Sequence, residues 1–378
     1  MTATVAVNLL WLVPGEVGGS EESTVATLRG LVESRPPDLE LELLVLAPFA
    51  AAHPELAAAL PTEVLGLSGR SRAARVAAEA SWLGSRTRDV DLVHHAGGTA
   101  PLTGRAPYVV TLHDLQPLES RGGGPGSGPR THSRVKRGYL RVVVPRSLRR
   151  ARRVVVPSEF VRSTLGETGI EPSKVMVVPH AVERTPGTPG SVLADRYRID
   201  GPVVLYPAIT YPHKDHATLV EAFARVLVDH PSAVLVLTGR ADQAEPALTA
   251  QIERLGVGSR VRRLGRIPSP DLAGLYDLAA VVAVPSRYEG FGLPAAEAMV
   301  HGAPVVVADA TALPEVVGDA GVLVAPGDVP GWAEAVAGLL GDPQRRARLS
   351  AAGIARAADF GGAANAARMV EVYRSALG

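Results

Sequence analysis

Short apolar runs recur along the whole chain, and many of them end near Gly, Pro, Ser or His. TVAVNLLWL, YVVTLHD, PVVLYPA and AAVVAVPS are examples. Segments with helical spacing, such as ATLVEAFARVLVDH, lie between many of these runs. Strands that are apolar throughout, rather than at alternate residues, are typical of parallel sheets that helices cover on both faces. The pattern therefore predicts an α/β fold with doubly wound parallel sheets.

The chain length predicts two domains, because 378 residues exceed what one hydrophobic core usually serves. The best candidate linker is ERTPGTPG, residues 183–190, which has no apolar period. It leaves about seven predicted strands before it and about six after it. We expect one doubly wound domain over residues 1–183 and a second over residues 184–360, with ligand bound between the carboxyl ends of their strands.

Composition excludes several classes of protein. The absence of Cys rules out disulfides, thiolate zinc sites and a Cys nucleophile, and fits a reducing, cytoplasmic compartment. A net charge of +1 and an aromatic content of 4% argue against nucleic acid as a partner. The apolar N-terminal run has no basic flank and ends at Pro14, so we interpret it as a buried strand rather than a signal peptide or membrane span.

The segment SRYEGFGLPAAEAM, residues 286–299, places Glu289 and Glu297 on either side of a glycine-containing turn that opens a helix. Pro294 suits the first helical turn, and Gly290 and Gly292 leave the backbone accessible. Amide groups at a helix start attract phosphate. Two carboxylates beside a phosphate make chemical sense if they accept hydrogen bonds from ribose and sugar hydroxyls. The segment therefore predicts a site for a nucleotide sugar.

The stretch YEGFGLPAAEAMVHGAPVV resembles the E-x7-E signature of the retaining glycosyltransferases of family 4, the glycosyltransferase group 1 type. LGRIPSPDLAGLYDLAAVVAVPS before it and ALPEVVGDAGVLVAP after it extend the likeness. The resemblance implies the GT-B fold of two facing Rossmann-like domains, in which residues 1–183 form the acceptor side and residues 184–360 bind the donor. It also implies that the last helix, residues 361–378, crosses back to the first domain, where Met369 and Val370 pack.

The same resemblance assigns roles to the residues of the turn. Glu289 is expected to hold hydroxyls of the donor sugar and Glu297 the ribose. The backbone amides around Phe291, Gly292 and Leu293 are expected to meet the diphosphate. From the residues alone, the alternative is that Glu289 caps the helix and Glu297 is a solvated helical residue.

Lys214, in YPAITYPHKDHATLVEAF, is one of only three Lys among 39 basic residues. By the resemblance it reaches the diphosphate and neutralises the leaving group. The family usually has Gly-Arg before this Lys, whereas Pro207 and Ala208 occupy those positions here. A second phosphate cation is therefore in doubt, and whether His213 compensates stays open. The alternative is that Lys214 is a surface residue.

The first domain contributes three less distinctive pieces. Gly18 and Gly19, in PGEVGGSEES, would let the loop after the first strand approach donor phosphate or acceptor, although a simple flexible turn is the alternative. His113, in VVTLHDLQP, resembles the family histidine that contacts the donor sugar, and the alternative is a core histidine bonded to a nearby carbonyl. His180 and Ala181 replace the family's Asn-Gly and are interpreted as the end of the domain.

We expect no metal and no cofactor other than the nucleotide-sugar co-substrate. The DVD triplet, Asp89 to Asp91, precedes an apolar strand and is interpreted as its cap. The pairs His94 with His95 and His213 with His216 have no third ligand near them in the sequence.

By the same resemblance, the predicted function is retaining transfer of a hexose, with no dedicated protein base, to a hydroxyl of a bacterial glycan, glycolipid or specialised metabolite. PHKDH weakly favours GDP-mannose as donor, followed by UDP-glucose or UDP-GlcNAc. An epimerase or an inverting transferase of the same fold is an alternative, and the latter needs a base in the first domain. A non-catalytic protein that binds anionic membrane through the Arg-rich segment 134–153 is another. That segment also suggests peripheral contact with the inner face of the cell membrane, or simply a solvated helix face.

Overall fold

The computed structural model describes residues 2–16, 18–101, 106–114 and 134–378, with side chains in the segment 134–150 described at 140 and 142–150. These residues form two compact units. The first contains the described residues up to Ala181 together with Phe360–Gly378, and the second is Val182–Asp359. Each unit is built around a parallel sheet, which confirms the predicted fold class.

The sheet of the first unit has seven strands among the described residues, in the order β3-β2-β1-β4-β5-β6-β7. Their bounds are β1 (Ala3–Asn8), β2 (Leu39–Leu46), β3 (Thr62–Leu65), β4 (Leu92–His95), β5 (Tyr108–Thr111), β6 (Arg153–Val156) and β7 (Val175–Val177). The helices between them are α1 (Gly19–Ser34), α2 (Ala47–Ala52), α3 (Pro54–Ala59), α4 (Arg72–Ala80), α5 (Trp82–Arg86), α6 (Arg134–Arg150) and α7 (Glu159–Gly166). Val5 on β1 pairs with Leu41 on one side and with Leu92 on the other, so the direction of winding reverses at β1.

The sheet of the second unit has six strands, in the order β10-β9-β8-β11-β12-β13. Their bounds are β8 (Val203–Pro207), β9 (Val234–Thr238), β10 (Val261–Gly265), β11 (Ala279–Val284), β12 (Val305–Ala308) and β13 (Gly321–Val324). The helices are α8 (Gly190–Tyr197), α9 (His216–Asp229), α10 (Glu245–Leu255), α11 (Ser269–Leu278), α12 (Leu293–Val300), α13 (Leu313–Val317), α14 (Val329–Gly341) and α15 (Pro343–Ala357). Winding reverses at β8, which places the loops after β8 and β11 side by side at the carboxyl edge.

The last helix, α16 (Gly362–Leu377), belongs to the first unit. Met369 and Val370 are buried in its core, as predicted. Gly30 of α1 permits the close approach of α16, because a Cβ at that position would collide with the carbonyl group of Gly362. The apolar core of the first unit therefore includes residues from both ends of the described chain.

The predicted linker, residues 183–190, lies in the second unit and is packed against α11. The Thr188 hydroxyl donates to Asp271 Oδ1 at 2.7 Å, and the Thr188 amide donates to the carbonyl of Pro270 at 2.8 Å. Gly187 lies against the backbone of Gly274, where a side chain would not fit. The Pro/Gly composition thus serves close packing here rather than a free tether.

Helix α6 carries the part of the Arg-rich segment that the structure describes. Val143 and Leu148 are buried, whereas Arg146 and Arg149 are exposed and Val142 is 65% exposed. One side of the helix is therefore part of the first unit's core, and the other carries positive charge. Across the described ranges, no helix combines the length and the apolar character needed to cross a membrane.

Candidate functional site

An ion pair lies at the carboxyl edge of the second unit. Lys214 Nζ and Glu289 Oε1 are 2.6 Å apart, and both side chains are mostly shielded, with 17% and 10% of their surfaces exposed. Lys214 ends a short 3-10 turn after β8, and Glu289 follows β11. The reversal of winding at β8 is what makes these two loops neighbours. Two of the residues predicted for the site are thus bonded to each other.

The backbone around the ion pair is held by hydrogen bonds between the same two loops. The Tyr206 hydroxyl donates to the carbonyl of Lys214 at 2.8 Å and lies 2.9 Å from the hydroxyl of Ser286. The Arg287 amide donates to the carbonyl of His213 at 2.8 Å. Since Tyr206 and Ser286 are fully buried, the loops are fixed to the sheet below them.

A second ion pair, which the sequence analysis did not identify, joins the same loops. Arg287 Nε lies 2.8 Å from Asp215 Oδ2, with Asp215 buried and Arg287 43% exposed. Asp215 also accepts a hydrogen bond from the Thr218 hydroxyl at 2.9 Å. The only signal in the sequence was the position of Arg287 two residues before Glu289. Because Arg is abundant in this chain, that position alone did not distinguish Arg287 from the other arginines.

The turn before α12 has the backbone that the glycines predicted. Gly292 adopts φ 107°, and a Cβ there would lie 2.6 Å from Leu313 Cδ2. No side chain caps α12, so its positive end remains suited to an anion. The alternative that Glu289 is the helix cap is therefore wrong. The Glu289 amide instead donates to the Thr311 hydroxyl at 3.0 Å, which holds the turn against the loop after β12.

Glu297 lies one turn into α12 and is half-buried. Its Oε2 accepts a hydrogen bond of 2.6 Å from the hydroxyl of Tyr276 on α11. The ring of Tyr276 is stacked on that of His301 at 5.6 Å. The alternative that Glu297 is a freely solvated residue is therefore wrong, because a neighbouring helix orients its carboxylate.

The histidines near Lys214 supply no second cation at neutral pH. Burial is the main cause that lowers the pKa of both His213 and His216 to about 4. Because Pro207 and Ala208 replace the usual Gly-Arg, His213 was considered as a replacement for the missing cation. It does not supply one at neutral pH, because its ring is neutral.

A cavity of about 210 Å³ lies beside these residues at the carboxyl ends of β8, β9 and β10. Its polar lining includes Thr210, His216, Thr238, Glu245 and Arg263. Arg263 is already paired with Glu245, at 3.2 Å.

His113 of the first unit follows β5, and its ring lies between those of Trp11 and His180. The ring centroids are 5.2 Å from each neighbour, with the His180 ring nearly parallel. His113 Nε2 donates to the carbonyl of Ala96 at 2.7 Å, as the alternative of a core histidine expected. Its Nδ1, however, is shielded from solvent and has no partner among the described residues. Burial lowers the pKa of His113, so the ring is neutral and Nδ1 is an acceptor.

Three more histidines of the first unit are buried near the carboxyl ends of its strands. Burial lowers the pKa of His94, His95 and His180 to about 3 each. His180 Nδ1 lies 3.1 Å from the hydroxyl of Ser23 on α1. Sequence reasoning treated His180 only as a domain end, whereas the structure places it against His113 in the lining of a small cavity of about 50 Å³.

Gly18 and Gly19 lie at the start of α1. Gly18 precedes the helix with φ 67°, and a Cβ there would meet no atom within 4 Å. Gly19 is the first helical residue. The nearby amide of Gly15 donates to Glu21 Oε2 at 2.6 Å, so a carboxylate of this helix lies over the loop. The predicted approach of donor or acceptor to this loop stays a prediction.

Glu79 of α4 was not identified from the sequence. Burial raises the pKa of its carboxyl group to about 7, while a hydrogen bond from Asn8 and the charges of Arg75 and Arg72 act in the opposite direction. Asn8 Nδ2 also donates to His95 Nδ1 at 3.1 Å. An acid of α4 whose pKa is about 7 therefore lies beside Asn8, the last residue of β1.

The DVD triplet has a structural role, because Asp91 Oδ2 accepts from the amide of Thr4 at 2.8 Å and joins the starts of β1 and β4. Within the ranges that the structure describes, no group of three or more His, Asp or Glu residues is arranged to hold a metal ion.

Two Rossmann-like units, one with a lysine, an uncapped helix start and two oriented carboxylates where the winding reverses, define a protein of the doubly wound α/β class. Family models agree over most of the chain: Glycosyltransferase Family 4 matches residues 17–185, and Glycosyl transferases group 1 matches residues 201–342. The chain is 33% identical over 321 residues to D-inositol 3-phosphate glycosyltransferase of Kineococcus radiotolerans, covering 77% of this chain and 72% of that protein. The chain belongs to the family 4, group 1 glycosyltransferases.

Other relatives carry related names. D-inositol 3-phosphate glycosyltransferase of Nocardia farcinica is 32% identical over 72% of this chain and 62% of its own length. O-antigen chain mannosyltransferase B of Escherichia coli is 30% identical over 67% of this chain and 66% of its own. For four of the D-inositol 3-phosphate glycosyltransferases, the match spans only 48% to 62% of the relative's length.

Solved structures share the fold. Anabaena HepE in complex with UDP and glucose has a TM-score of 0.74 and 22% identity, covering 99% of this chain and all of that one. WaaG, a glycosyltransferase involved in lipopolysaccharide biosynthesis, has a TM-score of 0.69 and 15% identity over 97% of this chain and 99% of its own. These likenesses establish the GT-B fold of the chain.

Proposed function

We propose that this protein is a retaining hexosyltransferase that moves a hexose from a nucleoside-diphosphate sugar to a hydroxyl group. The observation that carries the proposal is the arrangement at the edge of the second sheet. Lys214 and Glu289 are bonded there, beside an α12 start that no side chain caps. A cation and a helix start suit a diphosphate, and a carboxylate suits sugar hydroxyls.

Each predicted residue of the second unit then has a role. Lys214 and the backbone of Phe291, Gly292 and Leu293 take the diphosphate and stabilise its charge as it leaves. Glu289 accepts hydrogen bonds from hexose hydroxyls. Glu297, oriented by the Tyr276 hydroxyl, accepts from the ribose.

His113 of the first unit is assigned to the hexose as a hydrogen-bond acceptor. The Nε2 proton is committed to Ala96, so Nδ1 offers a lone pair to a hydroxyl. Because Nδ1 is shielded from solvent, a hydroxyl reaches it only if a neighbouring group shifts. The lowered pKa makes His113 a poor general base, which supports retention over an inverting mechanism that needs such a base.

In the proposed reaction, the bond from the hexose anomeric carbon to the diphosphate oxygen breaks and a bond to the acceptor oxygen forms on the same face. A phosphate oxygen of the donor takes the acceptor's proton. No dedicated protein base takes part. Metal independence and the absence of a further cofactor stay predictions, to be checked by transfer in the presence of EDTA.

The substrates are proposed by class. GDP-mannose stays the first donor to test, in keeping with the mannosyltransferase relative, and the HepE complex with UDP and glucose supports UDP-glucose as the next. The names of the first relatives add a phosphorylated polyol to the proposed acceptors, which are a glycan, a glycolipid or a specialised metabolite. The exposed arginines of α6 keep peripheral membrane contact as a proposal for a lipid-linked acceptor.

The test is thermal unfolding with GDP, UDP and dTDP sugars, followed by analysis of the product's anomeric configuration by NMR. A donor at about a hundred times its dissociation constant adds roughly 2.7 kcal/mol of stability. We expect one nucleotide series to stabilise the parent but neither Glu297→Ala nor Lys214→Ala, with Lys174→Ala as a matched control that behaves as the parent. A product of inverted configuration would contradict retention, and no stabilisation by any donor would contradict the proposed function.

A further inference from the structure

The ammonium group of Lys214 is bonded to a carboxylate of the protein itself. The Nζ to Oε1 distance of 2.6 Å is that of a strong charge-assisted hydrogen bond. Both groups are largely shielded from water, so their charges are weakly screened. An arriving diphosphate therefore meets a lysine whose charge is already balanced and a carboxylate that repels phosphate.

The two neighbouring carboxylates have other partners. Asp215 is bonded to Arg287, and Glu297 to the Tyr276 hydroxyl. Of these three acids, Glu289 is the one bonded to the lysine proposed for the diphosphate. The carbonyl of Lys214 is held by Tyr206, so an exchange of partners requires only a movement of the lysine side chain.

We propose that Glu289 is an internal anion that competes with the diphosphate for Lys214, so that the site favours nucleoside-diphosphate sugars over nucleoside diphosphates. This inference rests on the proposed function. When the hexose is present, its hydroxyl groups replace the ammonium group as hydrogen-bond donors to Glu289, and Lys214 turns to the diphosphate. When the hexose is absent, the diphosphate takes Lys214 only by leaving Glu289 without a donor.

The exchange has a direction during turnover. Transfer of the hexose to the acceptor removes the hydroxyl donors from Glu289. The carboxylate then binds Lys214 again, and the nucleoside diphosphate loses its main counter-charge. Glu289 thereby promotes release of the spent donor as well as binding of the fresh one.

The experiment is isothermal titration calorimetry on the full chain and on Glu289→Gln, which keeps the shape of the side chain and removes its charge. The ligands are GDP, UDP and inorganic pyrophosphate, together with GDP-mannose and UDP-glucose. Glu289→Gln should bind the cognate nucleoside diphosphate about tenfold more tightly than the parent does. Pyrophosphate should follow the same direction. The sugar donor should bind to Glu289→Gln no more tightly than it does to the parent. The preference for the sugar donor over the nucleoside diphosphate should therefore be lost.

Two further variants separate this effect from a general loss of negative charge. Glu297→Gln removes a carboxylate bonded to tyrosine rather than to lysine, and should not tighten nucleoside diphosphate binding. In a Lys214→Gln background, Glu289→Gln should tighten that binding far less than it does with Lys214 present, because only the repulsion between carboxylate and phosphate is then removed.

Equal or weaker binding of nucleoside diphosphate by Glu289→Gln would overturn the inference and leave the proposed function intact. Equal tightening by Glu297→Gln, or tightening by Glu289→Gln that is undiminished without Lys214, would also overturn it. A parent protein that binds none of these nucleotides, with or without sugar, would overturn the proposed function and the inference together.

Discussion

The two sheets share one architecture but present different chemistry at their carboxyl edges. The first has buried, neutral imidazoles at the ends of β4, β5 and β7, namely His94, His95, His113 and His180. The second has two ion pairs between the loops after β8 and β11. Neutral groups suit hydroxyls, and charged groups suit phosphate. The chemical difference therefore lies in the strand-end residues, since winding is the same in both sheets.

The largest expected effect is on stability in mild acid. His94, His95 and His180 have a pKa of about 3 in the fold and titrate near 6.5 when unfolded. Between these values the unfolded chain binds protons that the folded chain does not, so the free energy of unfolding falls as pH falls. Glu79 acts in the opposite direction, because its pKa is raised to about 7 in the fold. Below that value, and above its unfolded pKa, the folded chain binds a proton that the unfolded chain does not, which offsets one histidine. The net loss from these four groups alone should approach about 3 kcal/mol per pH unit near pH 5.

Hydrogen exchange measured from pH 7 to pH 5 checks this expectation unit by unit. The first unit should lose protection before the second, because its four histidines with lowered pKa, offset by Glu79, leave a net uptake of about three protons on unfolding, against about two from His213 and His216 in the second unit. His95→Gln, which removes one titrating group, should reduce the pH dependence by about one proton. If the second unit opens first, the comparison between the two edges fails.

Removing the charged group of the second unit should affect transfer more than removing the neutral group of the first. Lys214→Ala should lower kcat about 100-fold to 1000-fold, because the leaving diphosphate loses its counter-charge. His113→Ala, which removes one neutral acceptor, should cost about tenfold. Steady-state kinetics with the cognate donor measures both, and Lys174→Ala, which removes a lysine of the first unit, should match the parent. A larger loss from His113→Ala would point to a base and to the inverting alternative.

The smallest expected effect compares two glycines that precede helices. Gly292→Ala brings a Cβ to 2.6 Å from Leu313 Cδ2 at a positive φ, and should destabilise the second unit by about 2 to 3 kcal/mol. Gly18→Ala has the backbone strain without the collision, and should cost the first unit about 1 kcal/mol. Denaturant titration of the two variants gives the comparison. Equal losses would mean that backbone strain, rather than packing, sets the cost.

The central strands carry continuous apolar runs, and two edge strands do not. Continuous apolar runs identified the strands that neighbours cover on both sides. Strands β3 and β10 lie at the edges of their sheets and carry exposed Glu63 and Arg263. Polar residues are common on edge strands because they discourage pairing with other chains. The continuous apolar run that identifies a buried strand is therefore missing from β3 and β10.

The site was predictable where a short motif carries it. Glu289, Glu297, Gly292 and Lys214 were all identified from the sequence, but their partners were not. The bond between Lys214 and Glu289 joins residues 75 positions apart and depends on the reversal of winding at β8. The partner of Glu297 lies on another helix, and the ring against His113 comes from the end of β7. Such contacts follow from topology and side-chain packing, which local patterns do not contain.

Helix α16 makes the order of synthesis matter for this protein. It packs on α1, yet the ribosome produces it only after the whole of the second unit, Val182–Asp359. The first unit thus emerges early with Val25, Leu28 and Leu31 of α1 lacking part of their apolar cover. A fragment that stops at Ala181 keeps all seven strands of the first sheet but exposes that face to the solvent. No single cut in the gene therefore separates the two units, because the first unit contains residues from both before and after the second.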